Sequence, residues 1–256
     1  MPTQINEFSK TQFCAHTNTN YEIAHDVYRR GVGPAVVIIQ ELPGIEQSTL
    51  RLADNFVDAG FEVVMPHLFG PIGQTRVLGN LARAFCLRKE FSLFSRNKAS
   101  PVVDWLKALC QSIRDEKSIP GVGVIGMCLT GNFAISLMAD SSVLGAVASQ
   151  PAMPLNDSSA LHMSESDIAE IKQNIDRNEP IKAYRFAGDW MSKQAKFDTL
   201  ERVFNDDRER IQMNVLPGDA HSVLTRDFVD KKGHPTHQAL TEVLSYFERV
   251  LSIDKL

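Results

Sequence analysis

The chain has 256 residues, of which 43% are hydrophobic and 23% are charged, a composition typical of a folded globular protein. Its formal net charge of -4 and its pI near 6.0 argue against a general nucleic-acid-binding surface. Residues 1–16 lack the apolar stretch of a secretory signal, and the apolar run Ala35–Ile39 is too short to span a bilayer. We therefore expect a cytoplasmic protein with no membrane or nucleic-acid partner, formed by a single domain over residues 1–256.

Strand-like and helix-like segments alternate along the chain, which predicts an α/β fold with a mostly parallel central sheet flanked by helices on both faces. Residues 13–25 and 22–28 are predicted as edge strands divided by a polar turn at 17–20. Further strands are predicted at Ala35–Ile39, 61–65, 122–125, Val143–Ser149, 182–186 and Ile211–Leu216. Helices are predicted at 47–59, Pro101–Lys117, from about residue 131 onward, 164–174, 197–204 and 237–251.

The cysteines and histidines give no sign of a metal site. The chain contains four widely spaced cysteines: Cys14, Cys86, Cys110 and Cys128. Because they form no Cys-x-x-Cys pair, we expect reduced thiols rather than a zinc site or a disulfide framework. Cys86 and Cys110 lie on predicted apolar helix faces, where cysteine acts as a small hydrophobic residue. His234 and His237 suit a loop entering a helix, and we expect neither a metal ion nor an organic cofactor.

Four polar residues stand at or just beyond the C-terminal ends of predicted strands: Glu41, Cys128, Asp189 and His221. The carboxyl ends of parallel strands share one edge of a sheet, so we expect these side chains to converge. Cys128 occupies a sharp strand-to-helix corner in the motif Gly-Met-Cys-Leu-Thr-Gly at 126–131. A nucleophile there, followed along the chain by an acid and then a histidine, has the order of an α/β-hydrolase triad.

The motif at 126–131 resembles the cysteine form of the nucleophile elbow in the dienelactone hydrolase family. Glu41 in Gln-Glu-Leu-Pro-Gly, Asp189 in Phe-Ala-Gly-Asp-Trp and His221 in Gly-Asp-Ala-His-Ser match other marked positions of that family. The resemblance extends from the first strands to the last helix. It implies an α/β-hydrolase fold and an esterase-like activity with a Cys-His-Asp triad, assisted by a glutamate that helps to generate the thiolate.

The expected roles follow from the chemistry of a thiol. A cysteine is mostly protonated at neutral pH, with an ordinary pKa of about 8.5, so attack on an ester needs a base or a nearby positive charge. His221, oriented by Asp189, is the expected base, and the resemblance implies Glu41 as a first base once substrate is bound. Asp219 competes for the role of the acid, but Asp189 is favoured because the acid in this fold follows the preceding strand.

The backbone is expected to supply the oxyanion hole. The N–H groups of Leu42 and Leu129 are its expected donors, and the helix beginning near Gly131 adds the positive end of its dipole. The elbow departs from the usual pattern at Thr130, which stands where a glycine is expected two residues after the nucleophile. A β-branched residue there is expected to reposition the turn or narrow the pocket, which affects rate and substrate more than fold.

Residues 67–100 are predicted to be a covering segment over the active site, with one or two short helices in 76–94. The segment carries six basic residues and one acidic residue, most of them expected on a solvated helix face. The resemblance implies that arginines bind a substrate carboxylate, and Arg83 and Arg226 are the candidates.

Together with these patterns, the resemblance implies a hydrolase of ester or lactone bonds, of the carboxymethylenebutenolidase type, which forms a thioester on Cys128. The expected substrate is a small ester or lactone, including anionic ones, and activated esters are favoured because a thiolate suits a good leaving group. Two alternatives stay open: a broad carboxylesterase or thioesterase, and a non-catalytic binding protein that keeps the fold. The oligomeric state is not predicted.

Overall fold

The computed structural model describes residues 2–17, 22–70, 72, 100–152, 161 and 163–251. Its strands and helices alternate, and the predicted α/β fold with a mostly parallel sheet is confirmed. The strands are β1 (Ser9–His16), β2 (Glu22–Arg30), β3 (Ala35–Ile39), β4 (Glu62–Pro66), β5 (Val122–Met127), β6 (Val143–Ser149), β7 (Ile181–Phe186) and β8 (Ile211–Leu216). The helices are α1 (Gln47–Asp58), α2 (Pro101–Lys117), α3 (Leu129–Leu137), α4 (Glu165–Ile175), α5 (Gln194–Phe204) and α6 (Pro235–Leu251). None of these helices is long and apolar enough to cross a membrane.

In the described part of the chain, eight strands form one sheet in the order β1-β2-β4-β3-β5-β6-β7-β8. β1 and β2 are antiparallel to their neighbours, and the six remaining strands are parallel to one another. β1 lies at the edge as predicted, but β2 is not an edge strand, because its residues 27–30 also pair with residues 63–66 of β4. The winding direction reverses between β3 and β5, and open α/β sheets bind ligands at such a reversal.

The central strand β3 is buried on both faces, which explains its continuous apolar sequence. Successive side chains point to opposite faces of a strand. Val37 joins the core cluster that contains Trp105 of α2, whereas Ile38 joins the cluster that contains Phe56 of α1. Each fully buried side chain of this kind stabilises the fold by about 1.5–3 kcal/mol. The strand that leads to Glu41 is therefore fixed from both sides.

The structure refines several predicted boundaries. β5 continues two residues beyond its predicted end to Met127, so Cys128 directly follows the strand. α5 begins at Gln194 rather than at residue 197. α6 begins at Pro235 rather than at residue 237, because proline suits a first helical turn, where its missing N–H needs no partner. Cys110 is buried as predicted, whereas Cys86 and the predicted helices in 76–94 lie outside the described residues.

Candidate active site

Cys128 occupies the corner between β5 and α3 in an uncommon backbone conformation. Its φ is 56° and its ψ is -122°. A conformation of this kind costs a non-glycine residue on the order of 1–3 kcal/mol and persists only where the surroundings impose it. The N–H of Cys128 donates to the carbonyl of Ser149 at 3.0 Å, and the carbonyl of Cys128 accepts from Gly131 at 3.1 Å. The corner thus holds a partly exposed cysteine at the edge of the sheet.

The glycine two residues before the nucleophile is required by the close approach of α3 to β5. A Cβ atom at Gly126 would lie 2.0 Å from the carbonyl oxygen of Thr130, well inside van der Waals contact. Gly131 is less constrained, since a Cβ there would lie 3.1 Å from the Cα of Pro151. The glycine at 126 therefore allows the helix to begin directly against the strand.

Thr130 lies beneath the elbow, where its side chain is fully buried. Its hydroxyl accepts a hydrogen bond from the N–H of Met127 at 2.9 Å. The same hydroxyl lies 3.0 Å from the carbonyl of Ile39 and 3.1 Å from the carbonyl of Gln40, both at the end of β3. The departure from glycine thus adds polar contacts between the ends of β3 and β5.

Asp189 and His221 form a hydrogen-bonded pair beyond the ends of β7 and β8. Nδ1 of His221 lies 2.7 Å from Oδ2 of Asp189. The other oxygen of Asp189 accepts from the backbone N–H groups of Met191 at 2.9 Å and Ser192 at 3.1 Å. Burial opposes ionisation of this carboxyl group, but these hydrogen bonds outweigh burial and hold its pKa below the ordinary value. The carboxylate bonded to His221 is therefore that of Asp189, not that of its competitor Asp219.

The charge of His221 is controlled by both of its neighbours. Burial works against the imidazolium form, but hydrogen bonding and charge interactions with Asp189 and Cys128 raise the pKa of His221 to about 10. Its Nε2 atom is buried and has no well-aligned hydrogen-bond partner among the residues that the structure describes. Nε2 of the imidazole therefore faces the sulfur of Cys128 and can exchange a proton with a group there.

The loop that carries His221 is held by Asp227, which sequence reasoning missed. The Asp227 carboxylate accepts from the backbone N–H of His221 at 3.0 Å and from that of Ser222 at 2.8 Å. An acid six residues after the histidine gives no signal in a single sequence, because the loop must first fold back on itself. Asp227 fixes the backbone of the histidine, not its ring.

Glu41 lies buried at the end of β3, among side chains of the histidine loop. Its carboxylate accepts from Ser222 Oγ at 2.9 Å and from Gln150 Nε2 at 3.2 Å, and it also accepts from the hydroxyl of Thr225. Burial raises the pKa of Glu41, although these hydroxyl groups and the charges of nearby residues oppose the rise. Ser222 directly follows the predicted histidine and could have been identified from that position, whereas Gln150 and Thr225 could not.

Arg226 lies close enough to Glu41 for their charges to interact, and it is oriented by Glu46. Its Nε donates to the buried Glu46 carboxylate at 2.7 Å. Its two terminal amino groups make no hydrogen bond to another residue in the described ranges, and the side chain is 43% exposed. The role of Arg226 in binding substrate stays a prediction. Arg83 lies outside the described residues, as does most of the predicted covering segment 67–100.

The two expected oxyanion donors follow neighbouring strands. Leu129 is the first residue of α3, so its N–H has no partner within that helix. The N–H of Leu42 makes no hydrogen bond to any other residue that the structure describes. Within the same ranges, no group of three or more His, Cys, Asp or Glu side chains is arranged to hold a metal ion.

The sheet order and the cysteine elbow define a protein of the α/β-hydrolase fold, with its candidate site at the carboxyl ends of the parallel strands. The model of the dienelactone hydrolase family matches residues 25–251. The chain belongs to the dienelactone hydrolase family. No curated protein matches its sequence.

Solved structures support the same fold. A protein of Klebsiella pneumoniae assigned as a dienelactone hydrolase has a TM-score of 0.63 and 15% identity, over 94% of this chain and 99% of that one. A dienelactone hydrolase-like promiscuous phosphotriesterase from metagenomic libraries has a TM-score of 0.62 and 12% identity, over 96% and 100%. An esterase of Pyrococcus furiosus has a TM-score of 0.60 and 14% identity, over 96% and 92%. At these identities the similarity shows the fold.

Proposed function

We propose that the protein hydrolyses ester or lactone bonds through a thioester on Cys128, with His221 as the base and Asp189 as the acid that orients it. Membership of the dienelactone hydrolase family supports ester hydrolysis as the activity. The observation that carries the mechanism is the 2.7 Å hydrogen bond between Asp189 and Nδ1 of His221, with the cysteine elbow on the other side of the ring.

The first half of the reaction transfers the acyl group to sulfur. Because the pKa of His221 is raised to about 10, the ring is an imidazolium at neutral pH and stabilises a thiolate beside it. The sulfur of Cys128 bonds to the ester carbonyl carbon, and the carbonyl electron pair moves to its oxygen. When the tetrahedral intermediate collapses, the carbon–oxygen ester bond breaks and the leaving alkoxide takes the proton from Nε2 of His221.

The second half releases the acid. Neutral His221 takes a proton from water, the hydroxide attacks the thioester carbonyl, and the sulfur of Cys128 leaves as a thiolate. In both halves, negative charge develops on the carbonyl oxygen. The N–H groups of Leu42 and Leu129 would stabilise that charge, and each such donor can lower the barrier by about 3 kcal/mol.

Glu41 is proposed as an auxiliary base. Burial raises its pKa, which makes it a stronger proton acceptor near neutral pH than an exposed glutamate. Both of its oxygens accept hydrogen bonds from Ser222, Thr225 and Gln150. Glu41 would act on the thiol form of Cys128, before the thiolate is generated, and transfer of that proton to Glu41 requires one of these donors to turn away when substrate enters.

Arg226 is proposed to bind a carboxylate on the substrate. Glu46 holds the guanidinium through Nε, which leaves the two terminal amino groups to form a bidentate pair with an anion. We expect Arg226→Gln to raise KM for an anionic lactone by about tenfold, with little change for a neutral ester. The matched control is Arg249→Gln, which removes a surface arginine of α6 that pairs with Glu179.

The same assay tests the second candidate arginine. Arg83→Gln is expected to raise KM for the anionic lactone, as Arg226→Gln does. An unchanged KM for the anionic substrate in either variant would remove that arginine from this role.

A panel of lactones, short oxygen esters and thioesters tests the proposed function on the wild-type protein, Cys128→Ser and His221→Ala. We expect activity on activated lactones or esters in the wild type and its loss in both variants. Activity lost in the His221 variant but kept in the Cys128 variant would contradict the thiol mechanism. Absence of hydrolysis, together with ordinary reactivity of Cys128 toward iodoacetamide, would favour a binding protein that keeps the fold.

A further inference from the structure

The hydroxyl of Thr130 lies where the hydrogen-bonded ladder between β3 and β5 ends. The last paired residues of the two strands are Ile39 and Gly126. Beyond this pair, each chain continues for three residues to an expected oxyanion donor, Leu42 after β3 and Leu129 after β5. The two donors must lie at a fixed separation to bind one oxygen. However, no ladder hydrogen bond connects the two segments that carry them, which follow β3 and β5.

Thr130 supplies a connection at this point. A threonine hydroxyl has one donor hydrogen and can also accept. It accepts from the N–H of Met127 at 2.9 Å on the β5 side. Its hydrogen has three carbonyl oxygens within reach: that of Met127 at 2.9 Å on the β5 side, that of Ile39 at 3.0 Å at the end of β3, and that of Gln40 at 3.1 Å just beyond it. When the hydrogen points to Ile39 or Gln40, the hydroxyl connects the two strand ends in place of the missing ladder bond.

The position of Thr130 separates this role from direct chemistry. The side chain is fully buried, so it does not contact substrate. The hydroxyl contacts backbone groups only, and none of these belongs to Cys128 or His221. A glycine at this position would leave the two strand ends without the connection.

We propose that Thr130 is a positioning residue that sets the separation of the two oxyanion donors, and through it the rate of acyl transfer. The inference rests on the proposed function, because it requires an oxyanion to form. It predicts a specific pattern: loss of the hydroxyl slows reactions that pass through a tetrahedral intermediate and leaves other reactions of Cys128 unchanged. Alkylation by iodoacetamide is such a reaction, since the thiolate displaces iodide at a saturated carbon and no oxyanion forms.

The test compares hydrolysis and alkylation in Thr130→Val, which keeps the shape and removes the hydroxyl, and in Thr130→Ser, which keeps the hydroxyl. Thr130→Ala serves as a second deletion if the valine variant folds poorly. For p-nitrophenyl acetate we expect kcat to fall by about 10- to 100-fold in the deletion variants with KM nearly unchanged. The serine variant should keep kcat within about threefold of wild type. The rate of Cys128 alkylation and its pH profile should be the same in all of them.

Thr236→Val is the matched control, because Thr236 is also fully buried and its hydroxyl accepts a backbone N–H from Val229 at 3.0 Å, away from the site. It should lose stability without losing kcat. An unchanged kcat in both deletion variants of Thr130 would overturn the proposal, as would an equal fall in kcat and alkylation rate. Cys128→Ala separates the two hypotheses. Full hydrolysis by that variant contradicts the proposed function itself. Loss of hydrolysis in Cys128→Ala, together with unchanged kcat in the Thr130 variants, contradicts only the positioning role.

Discussion

The ends of β3 and β5 fix backbone groups, whereas the loops after β7 and β8 fix side chains. Cys128 is the first residue after β5, and the expected donors Leu42 and Leu129 lie within three residues of their strands. Asp189 lies three residues after β7, and His221 lies five residues after β8. The first region, which we call the elbow region, consists of Cys128, Leu42 and Leu129, and the strands themselves determine the positions of these residues. The second, the acid–histidine region, needs further contacts.

Those contacts come from two charged side chains that bond to the backbone of the loops, one for the loop after β7 and one for the loop after β8. Arg185 on β7 donates to the carbonyl of Ser192 at 2.6 Å and to that of Ala187 at 3.1 Å, on either side of Asp189. Asp227 accepts from the backbone of the histidine loop. Backbone geometry therefore limits substitution in the elbow region, whereas charge limits it in the acid–histidine region.

The largest expected effect tests the acid–histidine region. Asp189→Asn removes the charge that orients and stabilises the imidazolium, so we expect kcat for an ester to fall by about 10³- to 10⁴-fold. Asp219→Asn is the matched control, since Asp219 is exposed, lies two residues before the histidine and is not bonded to it. Its kcat should stay within about twofold of wild type. Equal losses in the two variants would show that the pairing of Asp189 is not what the reaction uses.

The second effect tests the elbow region and is one of stability. Gly126→Ala places a Cβ 2.0 Å from a backbone carbonyl, so either the strand or the helix must move. We expect the free energy of unfolding in urea to fall by about 2–3 kcal/mol. Gly233→Ala is the control: φ at Gly233 is 86°, but beyond its two chain neighbours no described residue has an atom within 4 Å of the added Cβ. Its cost should be only about 1 kcal/mol. A Gly126 variant as stable as the Gly233 variant would contradict the close packing of the elbow.

The third effect concerns pH and connects the two regions. The pKa of His221 is raised from 6.5 to about 10, partly by Cys128. Replacement of the sulfur in Cys128→Ser removes that contribution and leaves Asp189, so the pKa of His221, measured by NMR titration of its ring, should fall toward its ordinary value. Because the folded-state pKa is the higher one, the stabilisation by protonated His221 is complete below about pH 6.5 and is lost as the pH rises toward about 10. An unchanged pKa of His221 in the serine variant would show that the sulfur of Cys128 does not contribute to the pKa of the ring.

The sequence predicts the fold and the meeting of Asp189 and His221 because both follow from strand ends. A buried strand such as Ala35–Ile39 is recognisable from its apolar run, and parallel strands bring their carboxyl ends to one edge. The contacts that hold the loops could not be predicted in this way. The partners of Glu41, and the role of Asp227, depend on how a loop folds back on the sheet, which periodicity does not encode. The same holds for Thr130: its departure from glycine is visible in the sequence, but the direction of its hydroxyl is not.

The central claim is that Cys128 carries the acyl group. Rapid acid quenching of the wild-type protein during turnover of p-nitrophenyl acetate, followed by digestion and mass spectrometry, tests it directly. We predict one acetyl group on the peptide that contains Cys128, released by thiols as expected of a thioester, and no adduct in Cys128→Ala. An acetyl group on another residue during turnover, or full turnover by Cys128→Ala, would contradict the claim.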